Sequence, residues 1–576
     1  MKISSIDWLI VALVFLITLG IGIWASRTSG RSFKDYFLAG GNLPWWLLGV
    51  SMVATTFSAD TPNLVADIVR NNGISGNWVW WAFLLTGMLT TFVYAKLWKR
   101  SGILTDLEFY ELRYSGKPAS FLRGFRALYL GVFFNCVIMA TVMLAGIKIG
   151  GVLLGITPVQ TVLIAGTVTL LYTLLGGLRG VVLSDFFLFI IAMIGAIGAA
   201  IVVSKMPEVG GFKNLLQHEN VVDKLNFIPD LEDKNLLIPL LIIPLAVQWW
   251  SSWYPGAEPG GGGYVAQRML SAKDEKHATA ATLFFNIAHY ALRPWPWIIV
   301  ALASLVVFPD LASLSKAFPD VPEHFLKDDL AYPAMLTFLP KGLLGIVIAS
   351  LIAAFMSTIS THLNWGASYV THDFYHRFVN PDANEKQLVD VGRITTAALM
   401  IIASVFALFM QSALDSFNII LQIGAGTGLI YILRWFWKRI NAYSEIAGMV
   451  ASFLVALYFR ILAPYFGIEV PNDWQQLIWG VAITTIVWLL ATFITRPTDS
   501  KVLESFWQKI HGKNGANVSH GILAMILGSL MVYAALFGFG YLLFGKTANG
   551  LVALIIATIL GIGIKLLWPK LAMDKN

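Results

Sequence analysis

Leu43-Pro44-Trp45-Trp46-Leu47-Leu48-Gly49-Val50-Ser51-Met52-Val53-Ala54-Thr55-Thr56-Phe57-Ser58-Ala59-Asp60-Thr61-Pro62-Asn63-Leu64 begins as an apolar helix and cannot remain one. Thr55, Thr56, Ser58, Asp60 and Thr61 crowd together ahead of Pro62, and apolar character resumes at Leu64. Proline has no N–H to give and obstructs the turn before it, so the helix is expected to break or kink just ahead of Pro62. In hydrocarbon a broken backbone survives only where protein or a wet cavity completes its hydrogen bonds. Two readings fit this stretch, Leu43–Val69. Asp60 and the hydroxyls beside it build a mid-membrane site for a cation, or the Thr and Ser side chains merely bond back to their own kinked backbone.

The rest of the chain sets the context. Of 576 residues, 57% are hydrophobic and 13% charged, and apolar runs of bilayer length recur throughout. This composition predicts an all-α polytopic membrane protein. Spans are expected near 6–26, 43–69, 74–98, 122–152, 157–176, 180–205, 236–254, 274–309, 336–375, 388–412, 415–437, 441–466, 473–495, 520–543 and 548–568, about fifteen in all. Residues 1–26 lack a clear cleavage site and read as a retained span. Lys and Arg gather in alternate loops (Arg27, Arg31, Lys34; Lys99, Arg100, Arg113, Lys117; Lys438, Arg439; Lys501, Lys509), whereas 206–235 is acidic. The positive-inside rule then places the N-terminus outside and the C-terminus in the cytoplasm of a plasma (inner) membrane protein. The net charge of +7 lies in these short loops and is no nucleic-acid footprint. Cys136, the single cysteine, sits in an apolar run and excludes an intramolecular disulfide. Polar stretches are too short for a soluble domain; Leu107–Lys117 is expected to lie along the cytoplasmic face as a charged helix. His372 and His376 fit a solvated face, and Gly260–Gly263 lacks the strand that would make it a phosphate cradle.

A second interruption follows the seventh span. Two prolines and five glycines fall between Pro255 and Gly263, after Trp249, Trp250 and Trp253 and around Glu258. Broken spans two and seven stand five apart, the pattern that marks an inverted-repeat transporter with its site between the breaks. In the ninth span Ser357, Ser360 and Thr361 share a helix stripe, with Thr358 at its margin and Ala354 one turn earlier. Such hydroxyls serve either as packing glue or as ligands for a dehydrated cation.

With these residues together, the chain resembles the sodium:solute symporters, a family that includes sodium-coupled sugar, proline and sialic acid carriers. The resemblance runs from the first span to about residue 440. It rests on Asp35-Tyr36-Phe37-Leu38-Ala39-Gly40-Gly41-Asn42-Leu43-Pro44-Trp45-Trp46, on Ser51–Asp60, on Leu175-Gly176-Gly177-Leu178-Arg179-Gly180-Val181-Val182-Leu183-Ser184-Asp185 and on Ala353-Ala354-Phe355-Met356-Ser357-Thr358. It implies a leucine-transporter-type core of two inverted five-helix repeats, 43–205 and 236–437. The segments 1–42 and 438–576 would be peripheral and 206–235 an extracellular loop. It implies a sodium site from the carbonyls of Ala54 and Phe57 with Ala354, Ser357 and Thr358, and offers a possible second sodium at Asp185, Ser357, Ser360 and Thr361. The sugar ligands of the sodium/galactose carrier type do not carry over: Asp60, Thr61, Trp80 and Phe83 stand at those positions, and Tyr290 where a lysine is used.

The reading is a sodium-coupled symporter, not an enzyme, importing a small polar solute by alternating access, as a monomer whose partners are the lipid bilayer, the sodium ion and the solute. A sugar or polyol is expected, meeting Thr56, Asp60, Thr61, Trp80, Trp249, Trp253 and Tyr290. Arg293, inside an apolar span, is expected to pair with Glu258 or Asp60; a carboxylate on the solute is the other partner its fork would suit. An organic anion such as a sugar acid is therefore the alternative solute, and a transporter-like sensor or a channel the alternative class.

Overall fold

The computed structural model describes residues 3–29, 32–56, 58–252, 258–319, 321–410, 420–512 and 518–572. Phe57, Trp253 and Tyr254 fall outside the described residues. Eleven helices among those described are long and apolar enough to cross a membrane. The elements that build the centre are α1 (Ser5–Arg27), α2 (Trp45–Thr56), α3 (Asp60–Asn72), α4 (Ile74–Ser101), α5 (Gly116–Leu154), α6 (Pro158–Ser204), α7 (Lys234–Trp250), α8 (Gly263–Ser271), α9 (Glu275–Val307) and α10 (Leu343–Val379). Helices at Glu385–Phe409, Ala442–Tyr465, Asp473–Ile494, Ser519–Leu543 and Thr547–Leu571 are mostly open to lipid, with Ile401, Ile494 and Leu566 more than half exposed.

The span list differs from the sequence expectation for local reasons. The expected span at 43–69 is divided into α2 and α3. The expected spans 157–176 and 180–205 form one element, α6, started by a Thr157–Gln160 capping box and Pro158 and bent at Gly177, whose φ of 53° suits glycine. The span at 236–254 is short, and that at 415–437 lies partly outside the described residues, continuing as Gly428–Leu433.

Pro62 acts as foreseen but sits on the far side of the break. It is the third residue of α3, in the first turn, where a missing N–H costs nothing. The gap is closed by Thr61 N–H donating to the Ser58 carbonyl (3.2 Å) and by Ser58 N–H donating to Thr61 Oγ1 (3.1 Å). The two interrupted elements are tied at one end: Leu43 N–H donates to the Ser271 carbonyl and Lys273 N–H to the Leu43 carbonyl, each at 3.0 Å. α2 thereby lies between α6, α9 and α10. α10 is itself capped from α1, where Asp7 Oδ1 accepts from Gly342 N–H (2.7 Å) and Gly345 N–H (2.8 Å).

One expected surface element is interior. Residues 106–113 are helical, but Leu107 and Arg113 are buried. The Arg113 guanidinium donates to the carbonyls of Arg434 (2.9 Å), Trp437 (3.1 Å) and Ile440 (3.3 Å), so its charge finishes a helix end rather than facing lipid headgroups. His372 likewise is no solvated face: its Nε2 meets Glu108 Oε1 at 2.6 Å.

Candidate functional site

The last carbonyls of a helix have no acceptor role inside it, and α2 ends where α10 passes. Thr358 Oγ1 donates to the Thr55 carbonyl at 3.0 Å, and the hydroxyls of Thr55 and Thr361 meet at 3.0 Å. Ser357 Oγ donates to Asp185 Oδ1 on α6 at 2.6 Å. A hydroxyl that ligates a cation must send its proton elsewhere and turn its lone pairs to the ion. Ser357 and Thr358 both place their protons on other acceptors, which leaves their lone pairs available. Ala54 and Ala354 are buried beside them, one on each helix, and small side chains let the backbones approach. This brings together every described member of the first expected sodium set.

The second expected set has a cation already. Asp185 Oδ2 accepts from Ser51 Oγ (2.5 Å) and lies 3.8 Å from the Arg268 guanidinium of α8. Arg268 also donates to Ser51 Oγ (3.2 Å), Thr361 Oγ1 (2.7 Å) and Gln267 Oε1 (2.9 Å). Ser360 turns away and donates to the Ser357 carbonyl of its own helix (3.0 Å). Arg268 and Ser51 carry no role in the sequence reading. The signal was present as a Gln-Arg pair on an otherwise apolar half-helix, where an arginine is costly unless paired.

Beyond the break lies a cavity of about 130 Å³ lined by Thr55, Thr56, Asp60, Thr61, Trp80 and Arg293 together with Ser58, Tyr264, His289 and Thr358. Of the expected solute residues it collects Thr56, Asp60, Thr61, Trp80 and Arg293. Tyr290 and Glu258 line a smaller cavity of about 40 Å³ instead, which shares Thr56 and Tyr264 with the larger one. Thr56 Oγ1 and Tyr264 Oη are 2.8 Å apart, so this pair forms the wall between the two. Trp249 lines neither; it is half-buried against the apolar core, and its carbonyl accepts from Thr86 Oγ1. Trp80 is fixed by its indole N–H on Asn77 Oδ1 (2.9 Å) and stacks on Tyr290 at 5.8 Å.

The expected Arg293–Glu258 pair is not formed. Glu258 is taken by Arg126 and lies 3.9 Å from Arg434. Arg434 in turn meets Glu445 at 3.3 Å, and Arg126 donates to Tyr431 Oη at 2.6 Å. Arg293 remains with the cavity, its guanidinium over Trp297 at 5.2 Å and its Nη2 3.2 Å from His289 Nε2. The physical reason is competition: Glu258 lies within reach of two other arginines, Arg126 of α5 and Arg434, and its charge is already met. Trp98 Nε1 holds the Gly260 carbonyl (2.7 Å), and Gly263 N–H, opening α8, donates to Asp106 Oδ2 (2.8 Å). Asp106 also accepts from Tyr369 Oη. Burial pushes the Asp106 carboxyl up to about 6 against the pull of these hydrogen bonds.

A sequence profile of the "Sodium:solute symporter family" matches residues 36–452. The chain belongs to that family. Its coupling ion is sodium and its cargo a small polar solute. The symporter is 28% identical over 485 residues to the sodium/glucose cotransporter of Vibrio parahaemolyticus, covering 80% of this chain and 86% of that one. It is 26% identical to the sodium/myo-inositol cotransporter 2 of Mus musculus, over 79% of this chain and 70% of the relative. A structure of a Na⁺-coupled sialic acid symporter in a substrate-bound outward-open state aligns with a TM-score of 0.70 at 22% identity, covering 86% of the symporter and 99% of that chain. At that identity the likeness is one of fold.

Proposed function

We propose that the symporter imports a neutral sugar or polyol together with one sodium ion, by alternating access of the halves 43–205 and 236–437 around the break in α2–α3. The sodium ion is assigned to the carbonyls of Ala54 and Phe57 with Ala354, Ser357 and Thr358. The observation that carries this reading is the disposal of the two hydroxyl protons, Ser357 onto Asp185 and Thr358 onto the Thr55 carbonyl. At the Asp185 group the Arg268 guanidinium stands where a second ion would, so a second sodium at Asp185, Ser357, Ser360 and Thr361 requires Arg268 to withdraw. The solute is assigned to the larger cavity, where Trp80 offers a ring face and Asp60, Thr56, Thr61 and Arg293 offer polar contacts. Asp60 and Arg293 balance one another's formal charge within one cavity, which favours a neutral solute over a sugar acid. The sugar and polyol relatives point the same way. A monomer in the plasma membrane, with the N-terminus outside and the C-terminus in the cytoplasm, completes the proposal.

Replacing both Ser357 and Thr358 by Ala removes two oxygens from a dehydrated ion. Half-saturating sodium for uptake into proteoliposomes is expected to rise at least about tenfold, about 1.4 kcal/mol, with membrane insertion unchanged. Unaltered sodium activation in the double variant would remove the assignment.

A further inference from the structure

We infer that His289 is a specificity-determining residue of the solute site, presenting its Nδ1–H to an oxygen of the cargo. His289 lies on α9, is 4% exposed, and lines the larger cavity with Trp80, Asp60 and Thr56. Its Nε2 is 3.2 Å from Arg293 Nη2. A guanidinium has donors only, so Nε2 must supply the lone pair and the ring proton sits on Nδ1. That N–H is buried and meets no hydrogen-bond acceptor among the described residues. Around it the imidazole is held edge-on by Trp80 (5.7 Å) and Tyr290 (4.4 Å) and lies tilted against Phe285 (5.3 Å), which fixes where the proton points.

A buried donor without an acceptor is unfavourable in a finished core but suits a site completed by its cargo. The complementary partner is an oxygen able to accept beside a ring face. A solute hydroxyl or ring oxygen lying against Trp80 fits, with Asp60 accepting from a neighbouring hydroxyl. This inference rests on the assignment of the solute to the larger cavity.

The two imidazole nitrogens can be separated by substitution. In His289→Asn the amide N–H takes the place of Nδ1–H; in His289→Gln the amide oxygen takes the place of Nε2 and keeps the Arg293 contact; His289→Phe keeps only the ring. Sodium-driven uptake of D-glucose, D-galactose, myo-inositol and D-glucuronate is measured in proteoliposomes of each. For the solutes that the wild type carries, KM is expected to rise about tenfold in the Phe and Gln variants. It should stay within about threefold in Asn, and maximal rate and sodium activation should be preserved. Gln behaving as wild type while Asn behaves as Phe would overturn the inference, because His289 would then serve only to hold Arg293. Equal KM in all four proteins would overturn it too. The wild-type column alone decides the sugar-or-polyol reading: transport confined to glucuronate defeats that reading, and the variant columns, read with glucuronate, still decide His289.

Discussion

The two interrupted helices solve the same problem in opposite ways. Between Thr56 and Asp60 the gap is short, Ser58 and Thr61 close it on each other, and Thr55, Thr56, Ser58, Asp60 and Thr61 all line the cavity. Between Trp250 and Gly263 the gap is long, and the protein answers it with its own side chains: Arg126 and Arg434 on Glu258, Trp98 on Gly260, Asp106 on Gly263. An opening left for cargo needs polar groups that face a cavity. An opening that must only bend needs charges met by the protein itself. A break in a membrane helix therefore marks a site only where the surrounding protein declines to fill it.

This contrast predicts that damage at the second break is structural where damage at the first is functional. The largest effect belongs to Glu258→Ala, which strands Arg126 in the interior. Loss of one partner of a buried ion pair costs about 3–5 kcal/mol, so thermal unfolding of the purified protein should shift down by many degrees and yield should fall. Replacing Arg126 and Glu258 together by Met should recover most of that loss. If Glu258→Ala melts like the wild type while sodium or solute affinity falls, the second break is part of the transport site and the contrast fails.

A smaller effect is expected at Asp106, the remote cap of α8. Asp106→Asn keeps an acceptor for Gly263 and loses the charge, so below the titration window it should differ from the wild type by no more than about 1 kcal/mol. The pH profile carries the sharper signature. Because the folded carboxyl titrates near 6 and an ordinary one at 3.8, the folded protein binds the proton more tightly than the unfolded chain. Wild-type stability should therefore decline as pH rises through that window and level off above it. That component should vanish in Asp106→Asn; an identical slope in both proteins would place the titration elsewhere.

The fold was largely legible from patterning, since hydropathy marks spans and Pro62 with its hydroxyls marks the first break. The ladder of Ser357, Ser360 and Thr361 was readable because helical spacing alone puts it on one stripe, with Thr358 at its margin. Glu258 was misread because five glycines leave the chain's direction open, and no local rule says which arginine it will reach. Arg268 was passed over for the same reason: its partners Asp185, Ser51 and Thr361 come from three other helices. His289 stood next to a residue of evident interest, but a missing acceptor is a property of three-dimensional surroundings.

The Asp185–Arg268 pair has an electrical consequence. A carboxylate and a guanidinium moving together displace no net charge, so the membrane potential does almost no work on this cluster as the empty carrier returns. Voltage dependence then enters only with the loaded ion. In Arg268→Gln the return step carries the bare Asp185 charge, which an inside-negative potential pushes outward with up to about 2.3 kcal/mol per 100 mV. Voltage jumps applied without sodium should thus evoke a transient current in the variant and little in the wild type, so that one guanidinium makes the empty half of the cycle electrically silent.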